Sequence, residues 1–174
     1  MYWIRHYLTL NGEISMHNQI LNDVIQKISG NRFTRISRFQ FTAIKEILKK
    51  LHNKSTHAEG ISIVAETGTG KTLAYQLPLV LWILHKKLEY YKKQKDAGND
   101  LHPFTSALLI FPRNVLATDQ YNAFKTLATL ANQVIATSNL TRTDSELSGF
   151  LEVNVANDYG GTAIQDRKNI YWYS

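Results

Sequence analysis

Apolar positions in this chain recur with two periods, and the alternation between them sets out the elements. Between Asn18 and Gly30 the stripe is Leu21, Val24, Ile25 and Ile28, a helix that Asn18 caps and Gly30 stops. A second helix is predicted over Arg38–His52, with Phe41, Ile44, Leu48 and Leu51 inward and Lys45, Glu46, Lys49 and Lys50 outward. Residues 53–60 read as a polar loop leading into an apolar strand, Ile61–Ala65. A long helix then opens at Lys71, keeping Leu73, Leu77, Leu81, Leu84, Leu88 and Tyr91 on one face. Pro78 lies inside that pattern and predicts a kink or a split. Asp96-Ala97-Gly98-Asn99-Asp100 ends it in a loop.

Ala107-Leu108-Leu109-Ile110-Phe111 is a continuous apolar run, the pattern of a strand covered on both faces. Pro112 ends that strand, and a further helix is predicted to about Ala131. It reads as mostly buried, because Asp119 and Lys125 are its only charges between Asn114 and Asn132. Gln133–Ala136 is predicted as a short strand, residues 137–149 as polar and mobile, and Leu151–Ala156 as another strand. Asp158–Gly161 reads as a turn, and Thr162 and Gln165 have capping-box spacing for a last helix. Strands alternating with helices predict an α/β fold, a mostly parallel sheet with helices on both faces. The first fifteen residues carry no decisive pattern.

One junction of strand and helix carries chemistry. Ala65-Glu66-Thr67-Gly68-Thr69-Gly70-Lys71-Thr72 joins the strand at Ile61–Ala65 to the long helix. Backbone N–H groups at a helix N-terminus point at an anion, and the helix dipole favours negative charge there. Gly68 and Gly70 let the backbone curl close to a phosphate. Lys71 can reach the outer phosphates, and the Thr72 hydroxyl can ligate Mg2+. A nucleoside triphosphate with Mg2+ is the expected ligand, held by Glu66, Thr67, Gly68, Thr69, Gly70, Lys71 and Thr72; ATP is the one that the family resemblance below implies. Glu66 by itself reads as an exposed loop residue. Two further loops fall at carboxyl ends of predicted strands and open helices: Pro112–Arg113 and Tyr159–Gly161. Ligands of open α/β sheets bind along that edge. Three such loops suit a nucleotide together with an extended polyanion, whose backbone they would position without reading its sequence.

Composition narrows this only a little. The 174 residues are 44% hydrophobic and 20% charged, ordinary for a globular chain, with room for one domain and a proper core. The formal charge of +6 suits a polyanionic partner. Much of it sits in one segment, at Lys86, Lys87, Lys92, Lys93 and Lys95, where a solvated helix face competes with nucleic-acid contact. Cysteine is absent, so disulfides and thiolate metal sites are excluded. His6, His17, His52, His57, His85 and His102 lack ligand spacing. The longest apolar run, Leu77–Leu84, is too short to span a bilayer, and Met1–His6 has no signal-peptide pattern, so no membrane contact and a cytoplasmic location are expected.

Here the chain resembles a known family. Ala65–Thr72 looks like motif I of the superfamily 2 helicases, the DEAD/DEAH-type nucleic-acid-dependent ATPases, and Leu73–Pro78 is close to that motif's continuation in the family. Pro112-Arg113-Asn114-Val115-Leu116-Ala117-Thr118-Asp119-Gln120 is similar to motif Ia. Phe39–Ile44 resembles the upstream Gln-x-x-Ala-Ile motif, and Tyr159-Gly160-Gly161-Thr162, with Arg167 after it, the Gly-Gly element. Order and spacing run in register from about Arg32 to Lys168. The resemblance implies a RecA-like motor domain over residues 32–174, preceded by a helical extension over 1–31. It also implies roles. Gln40 would read the adenine edge, Lys71 and Thr72 would hold phosphates and Mg2+, and Pro112, Arg113, Asn114, Gln120, Gly160, Gly161 and Thr162 would meet a DNA or RNA strand. Plainer readings stand beside these. Ser37 and Gln40 have capping-box spacing, Arg113 has a lesser reading as a solvated residue near a helix start, and Gly160–Gly161 one as a plain turn.

Hydrolysis needs a second carboxylate site, which the family supplies as an Asp-Glu pair after an apolar strand. No such pair follows the phosphate loop in these residues, and the chain ends where that region is expected to begin. The fold is therefore expected to be incomplete at the C-terminus, with a gap or exposed edges in its sheet. The expected function is the ATP- and nucleic-acid-binding portion of a helicase, unable to hydrolyse ATP or unwind alone, with no catalytic residue of its own. Alternatives are a non-catalytic binding module or one half of a split helicase completed by a second polypeptide. An unrelated P-loop kinase fits less, since motif Ia would then be unexplained.

Overall fold

A computed structural model describes residues 20, 23–28, 36–52, 60–102, 104, 106–138, 141–142 and 144–158. Its elements are α1 (23–28), α2 (Arg38–His52), α3 (Lys71–Ala97), α4 (Asn114–Thr137) and α5 (Ser145–Leu151). The long helix α3 is the hub, in contact with α2, α4 and α5.

The centre of α3 is what the apolar stripe predicts. Leu77, Leu81, Leu84 and Leu88 are buried, joined by Val80 and Ile83, and Tyr91 packs half-buried against them. Burying each such aliphatic side chain contributes about 1.5–3 kcal/mol, which is why this helix collects the others. From α2 come Ile44, Ile47 and Leu48; from α1, Val24, Ile25 and Ile28 enter the same cluster. Leu21, Asn18 and Gly30 lie outside the described residues.

Of the kink or split expected at Pro78, the split does not occur, and α3 runs unbroken through that proline for 27 residues. Its ring is buried, so packing offsets the missing N–H. The strand expected at Gln133–Ala136 is the last turn of α4. Phe124, Leu127, Ala128, Ala131, Val134 and Ile135 share one buried face at helical spacing, and that burial outweighs the β preference of Val134 and Ile135. The same helix is less buried than expected, with Val115 and Leu116 exposed near its start.

Among the described residues there is no β-strand, so the expected parallel sheet is not formed there. The segments 61–65 and 107–111 are unpaired. Their apolar character on both faces now shows as exposure, with Val64 at 87%, Leu108 at 80% and Ile110 at 82%. The strand expected over Leu151–Ala156 is instead the end of α5 followed by irregular chain. One side chain imitates a neighbouring strand for it: the Asn132 amide donates to Val153 O at 3.2 Å and accepts from Val153 N at 2.9 Å.

The stretch 137–149, expected to be mobile, is partly built. Ser138 and Thr141 are buried, and Thr141 donates its hydroxyl to Ile135 O and Ser138 O. Asp144 caps α5, accepting from Leu147 N at 2.9 Å and from the Tyr91 hydroxyl at 2.5 Å. These bonds, that from Tyr91 foremost, hold the Asp144 carboxyl below the usual carboxylate range. Its contribution to stability is therefore full above that range and lost as pH falls through the lowered value. In an acid titration, the Leu147 amide resonance is expected to follow Asp144 protonation, and Asp144→Asn to flatten that response. Lys87 closes the other end of α5, donating to Phe150 O at 3.0 Å and Glu152 O at 2.5 Å.

The junction between the predicted strand and α3

The chain leaves Ala65, turns at residues 67–69 and enters α3 at Lys71. Gly68 and Gly70 both adopt left-handed backbone, with φ of 82° and 81°. A residue with a Cβ adopts that region only at a cost, so these glycines are what close the loop. Thr69 Oγ1 donates to Glu66 O at 2.8 Å across the turn. Lys71 folds back over it, and its Nζ donates to Ala65 O and Glu66 O, each at 2.5 Å. The ammonium thus lies against the loop's own carbonyls, over the start of its own helix.

That helix start is open. No side chain caps α3, and its first turn holds no acid. The first helical bond made across the turn is Ala74 N to Gly70 O at 3.2 Å, so the N–H groups before Ala74 have no carbonyl within the helix. The start of α4 is similar: Arg113 stands at its cap position in extended conformation, with no side-chain cap and no acid in the first turn. Pro112, Arg113 and Asn114 are exposed there. By contrast α5 is capped by Asp144 and carries Glu146 in its first turn. Helix α2 is capped too, by Ser37. The helices that open at Lys71 and Asn114 leave their dipoles and donors unneutralised.

Gln40 makes the bonds of its capping reading. Its Oε1 accepts from Ser37 N at 2.9 Å while its own N donates to Ser37 Oγ at 3.2 Å, a complete capping box. The same amide reaches across to the phosphate-loop candidate, with Nε2 donating to Gly70 O at 3.3 Å. Gln40 is 5% exposed. It is a cap and a strut for the loop together.

Gln120, expected at a nucleic-acid strand, lies in the packing between α3 and α4. Its Oε1 accepts from the Tyr75 hydroxyl at 2.5 Å and from Gln76 Nε2 at 3.3 Å, and its main-chain O accepts from Gln76 Nε2 at 3.3 Å. Burial pushes the Tyr75 phenol up, so it remains a donor. Gln76 is 1% exposed, and its Oε1 has no hydrogen-bond partner. Leaving a buried acceptor unmet costs roughly 1–3 kcal/mol. Reading the sequence alone missed Tyr75 and Gln76; the available signal was an amide inside the apolar stripe of α3, between Leu73 and Leu77.

The structure therefore brings together Gln40, Glu66, Thr67, Gly68, Thr69, Gly70, Lys71 and Thr72 around one helix mouth, and sets Pro112–Asn114 at a second. Gly160, Gly161 and Thr162 lie outside the described residues. Among the described residues no group of three His, Cys, Asp or Glu could hold a metal ion, and no helix is long and apolar enough to cross a membrane. Chemically, the first mouth can hold an anion: it offers unpaired N–H donors, a cation on a long stem and a hydroxyl at Thr72.

Comparison with known proteins agrees with the motif reading. Residues 37–166 match the family model of the DEAD/DEAH box helicase. The chain is similar to the ATP-dependent RNA helicase DBP9 of Coccidioides immitis (strain RS), 28% identical over 123 residues, 71% of this chain and 17% of that protein. It is similar to DBP9 of Saccharomyces cerevisiae (strain YJM789), 36% identical over 89 residues, 50% of this chain and 14% of that protein. The ATP-dependent RNA helicase glh-4 of Caenorhabditis elegans is 28% identical over 109 residues, 63% of this chain and 8% of that protein. The chain thus spans less than a fifth of the length of these relatives. No solved structure matches it.

Proposed function

This chain belongs to the DEAD/DEAH box helicase family, and on that basis we propose that it binds ATP at the Glu66–Thr72 loop and a single RNA strand at the start of α4. The observation that carries the reading is the uncapped start of α3 beneath two left-handed glycines and the Lys71 ammonium. An ATP phosphate chain would take the loop carbonyls' place at Lys71 and receive the open N–H groups. Thr72 would ligate Mg2+ together with phosphate oxygens, since this ion keeps few protein ligands. Gln40 retains one unused donor and one unused acceptor position for an adenine edge beside its cap role. Arg113 supplies a fixed charge to a strand backbone, joined by Pro112, Asn114 and the Gly160–Thr162 turn. RNA is preferred over DNA because the similar proteins are named as RNA helicases.

In this reading residues 32–174 form part of a RecA-like motor domain and 1–31 an extension docked through the α1 face. These 174 residues hold ATP without turning it over, because no Asp-Glu pair follows an apolar strand after the loop. Exposed Val64, Leu108 and Ile110 support strands at 61–65 and 107–111 that further polypeptide pairs with, from this chain or a second one.

The test is a titration of the chain with a fluorescent ATP analogue and an oligouridylate, followed by a phosphate-release assay. Saturable binding of both is expected, with the oligouridylate resisting competition by oligothymidylate and no release above background. RNA-stimulated release by the chain alone would overturn the non-hydrolytic part, and failure to bind the analogue would overturn the whole.

A further inference from the structure

The packing of α3 sorts the lysines at 86, 87, 92, 93 and 95. Lys87 donates to Phe150 O and Glu152 O, and Lys95 pairs with Glu146, so both are engaged by α5 and its end. Lys86 and Lys93 turn to another side. There they line an open groove of about 410 Å³ with Trp82, Glu89, Tyr90 and Phe104. That volume lies within the range of ordinary ligand clefts, about 300–1,000 Å³.

The lining alternates in chemistry. Trp82, Lys86, Tyr90 and Lys93 follow one another at spacings of four, four and three, which is one face of a helix. Ring, cation, ring and cation thus succeed each other over about 16 Å of axis at 1.5 Å per residue. A single nucleic-acid strand presents the matching order, bases with π faces and phosphates between them. An acidic peptide would meet the two cations and leave the rings unused.

The rings are held in place from behind. Tyr90 is stacked on Phe150 at 5.7 Å and lies 5.2 Å from Phe104, while His52 meets the Trp82 ring edge-on at 5.2 Å. The Lys86 ammonium lies over the Trp82 ring, 4.5 Å from its centroid, and donates to Glu89 Oε2 at 2.7 Å. Both contacts are made by well-exposed side chains, so they are weak and exchangeable. A base stacked on the indole is the stronger contact, and it releases Lys86 towards a phosphate. Glu89 is the one acid among the lining residues, and His85 Nε2 also meets it at 3.2 Å.

We propose that this face of α3 is a second nucleic-acid contact, where Trp82 stacks a base and Lys86 and Lys93 hold flanking phosphates of a single strand. The groove shares no residue with either helix mouth, and Trp82 stands about 16 Å along α3 from Lys71. Stacking and phosphate contact read neither base identity nor the 2′-hydroxyl, so RNA and DNA strands bind here alike. With one base stacked and two phosphates held, it is a weaker site than the one proposed at the start of α4.

The probe is oligothymidylate, titrated into the full chain at several salt concentrations and read by tryptophan fluorescence and by anisotropy of the labelled strand. Saturable quenching is expected, with log affinity falling against log salt at a slope of about −1.4, two single-strand phosphates at about −0.7 each. Lys93→Gln should bring the slope to about −0.7. Its side chain is exposed, so the circular dichroism of the chain should not change. Trp82→Leu should abolish the quenching and weaken binding about 5- to 150-fold, the effect of one stacked base. Should that variant fail to fold, Glu89→Gln keeps the proposal testable: removing the acid should tighten oligothymidylate by up to about 5-fold. Unchanged affinity and slope in folded Trp82→Leu and Lys93→Gln overturn the proposal. Polyglutamate binding as tightly as oligothymidylate of the same length overturns it too, since the rings would then contribute nothing. A chain that ignores an ATP analogue yet is quenched by oligothymidylate overturns the proposed function and leaves the groove. A chain that binds the analogue and is not quenched does the reverse.

Discussion

Lys71→Ala is expected to weaken ATP binding about 10- to 100-fold, the effect of losing one hydrogen bond from a charged group. Titration of a fluorescent ATP analogue reads it directly. The expected size follows from where the side chain lies. Its ammonium is already stationed over the loop, on Ala65 O and Glu66 O at 2.5 Å, so little chain entropy is lost when it exchanges carbonyls for phosphate oxygens. The neighbouring donors are mostly backbone N–H groups, which truncating a side chain leaves in place. Stability should change far less than affinity, because Lys71 is half-exposed and both its partners are loop carbonyls that water can reach in its place. Equal losses of stability and of affinity would show that Lys71 holds the loop together rather than gripping the ligand.

Gly70→Ala is expected to produce the largest fall in stability, about 2–3 kcal/mol, measured by denaturant unfolding. Two costs add. Left-handed backbone costs a non-glycine residue roughly 1–2 kcal/mol. An added Cβ would also meet the Gln40 side chain, with Nε2 and then Cδ its nearest neighbours. Gln40 can yield only by leaving its capping box with Ser37, and a lost N-terminal cap costs about 1 kcal/mol. Gly98→Ala separates the terms. Gly98 has φ 68° and closes α3, with Asn99 N donating to Gln94 O at 3.0 Å, but a Cβ there meets nothing within 4 Å. It should therefore show the conformational cost alone. A Gly70→Ala loss no greater than that of Gly98→Ala would mean the Gln40 strut carries no energy. The same substitution should weaken ATP binding, because it displaces the residue that shapes the α3 mouth.

The glycine-bearing turn before α3 was readable without coordinates because its parts are adjacent in sequence. Gly68, Gly70, Lys71 and Thr72 act within one turn of chain, and the helix behind them announces itself by a stripe of leucines. Helix α2 was legible for the same reason, down to both of its ends at Arg38 and His52. Strands were another matter. Gln133–Ala136 and Leu151–Ala156 are short and apolar, and over so few residues neither period can establish itself against the other. Packing decided them, placing Val134 and Ile135 on the buried face of α4 and ending α5 at Leu151.

Local sequence thus determined helix α2, the course of α3, the glycine-bearing turn before it and the family. Interactions of that kind reach no further than a helical turn or a tight bend. Only the tertiary structure decided that Gln40 braces Gly70 from thirty residues away. It alone made Gln120 the partner of Gln76 and Tyr75. An amide has the same pattern signature on a surface as in a core, and its role is set by which helix is packed against it.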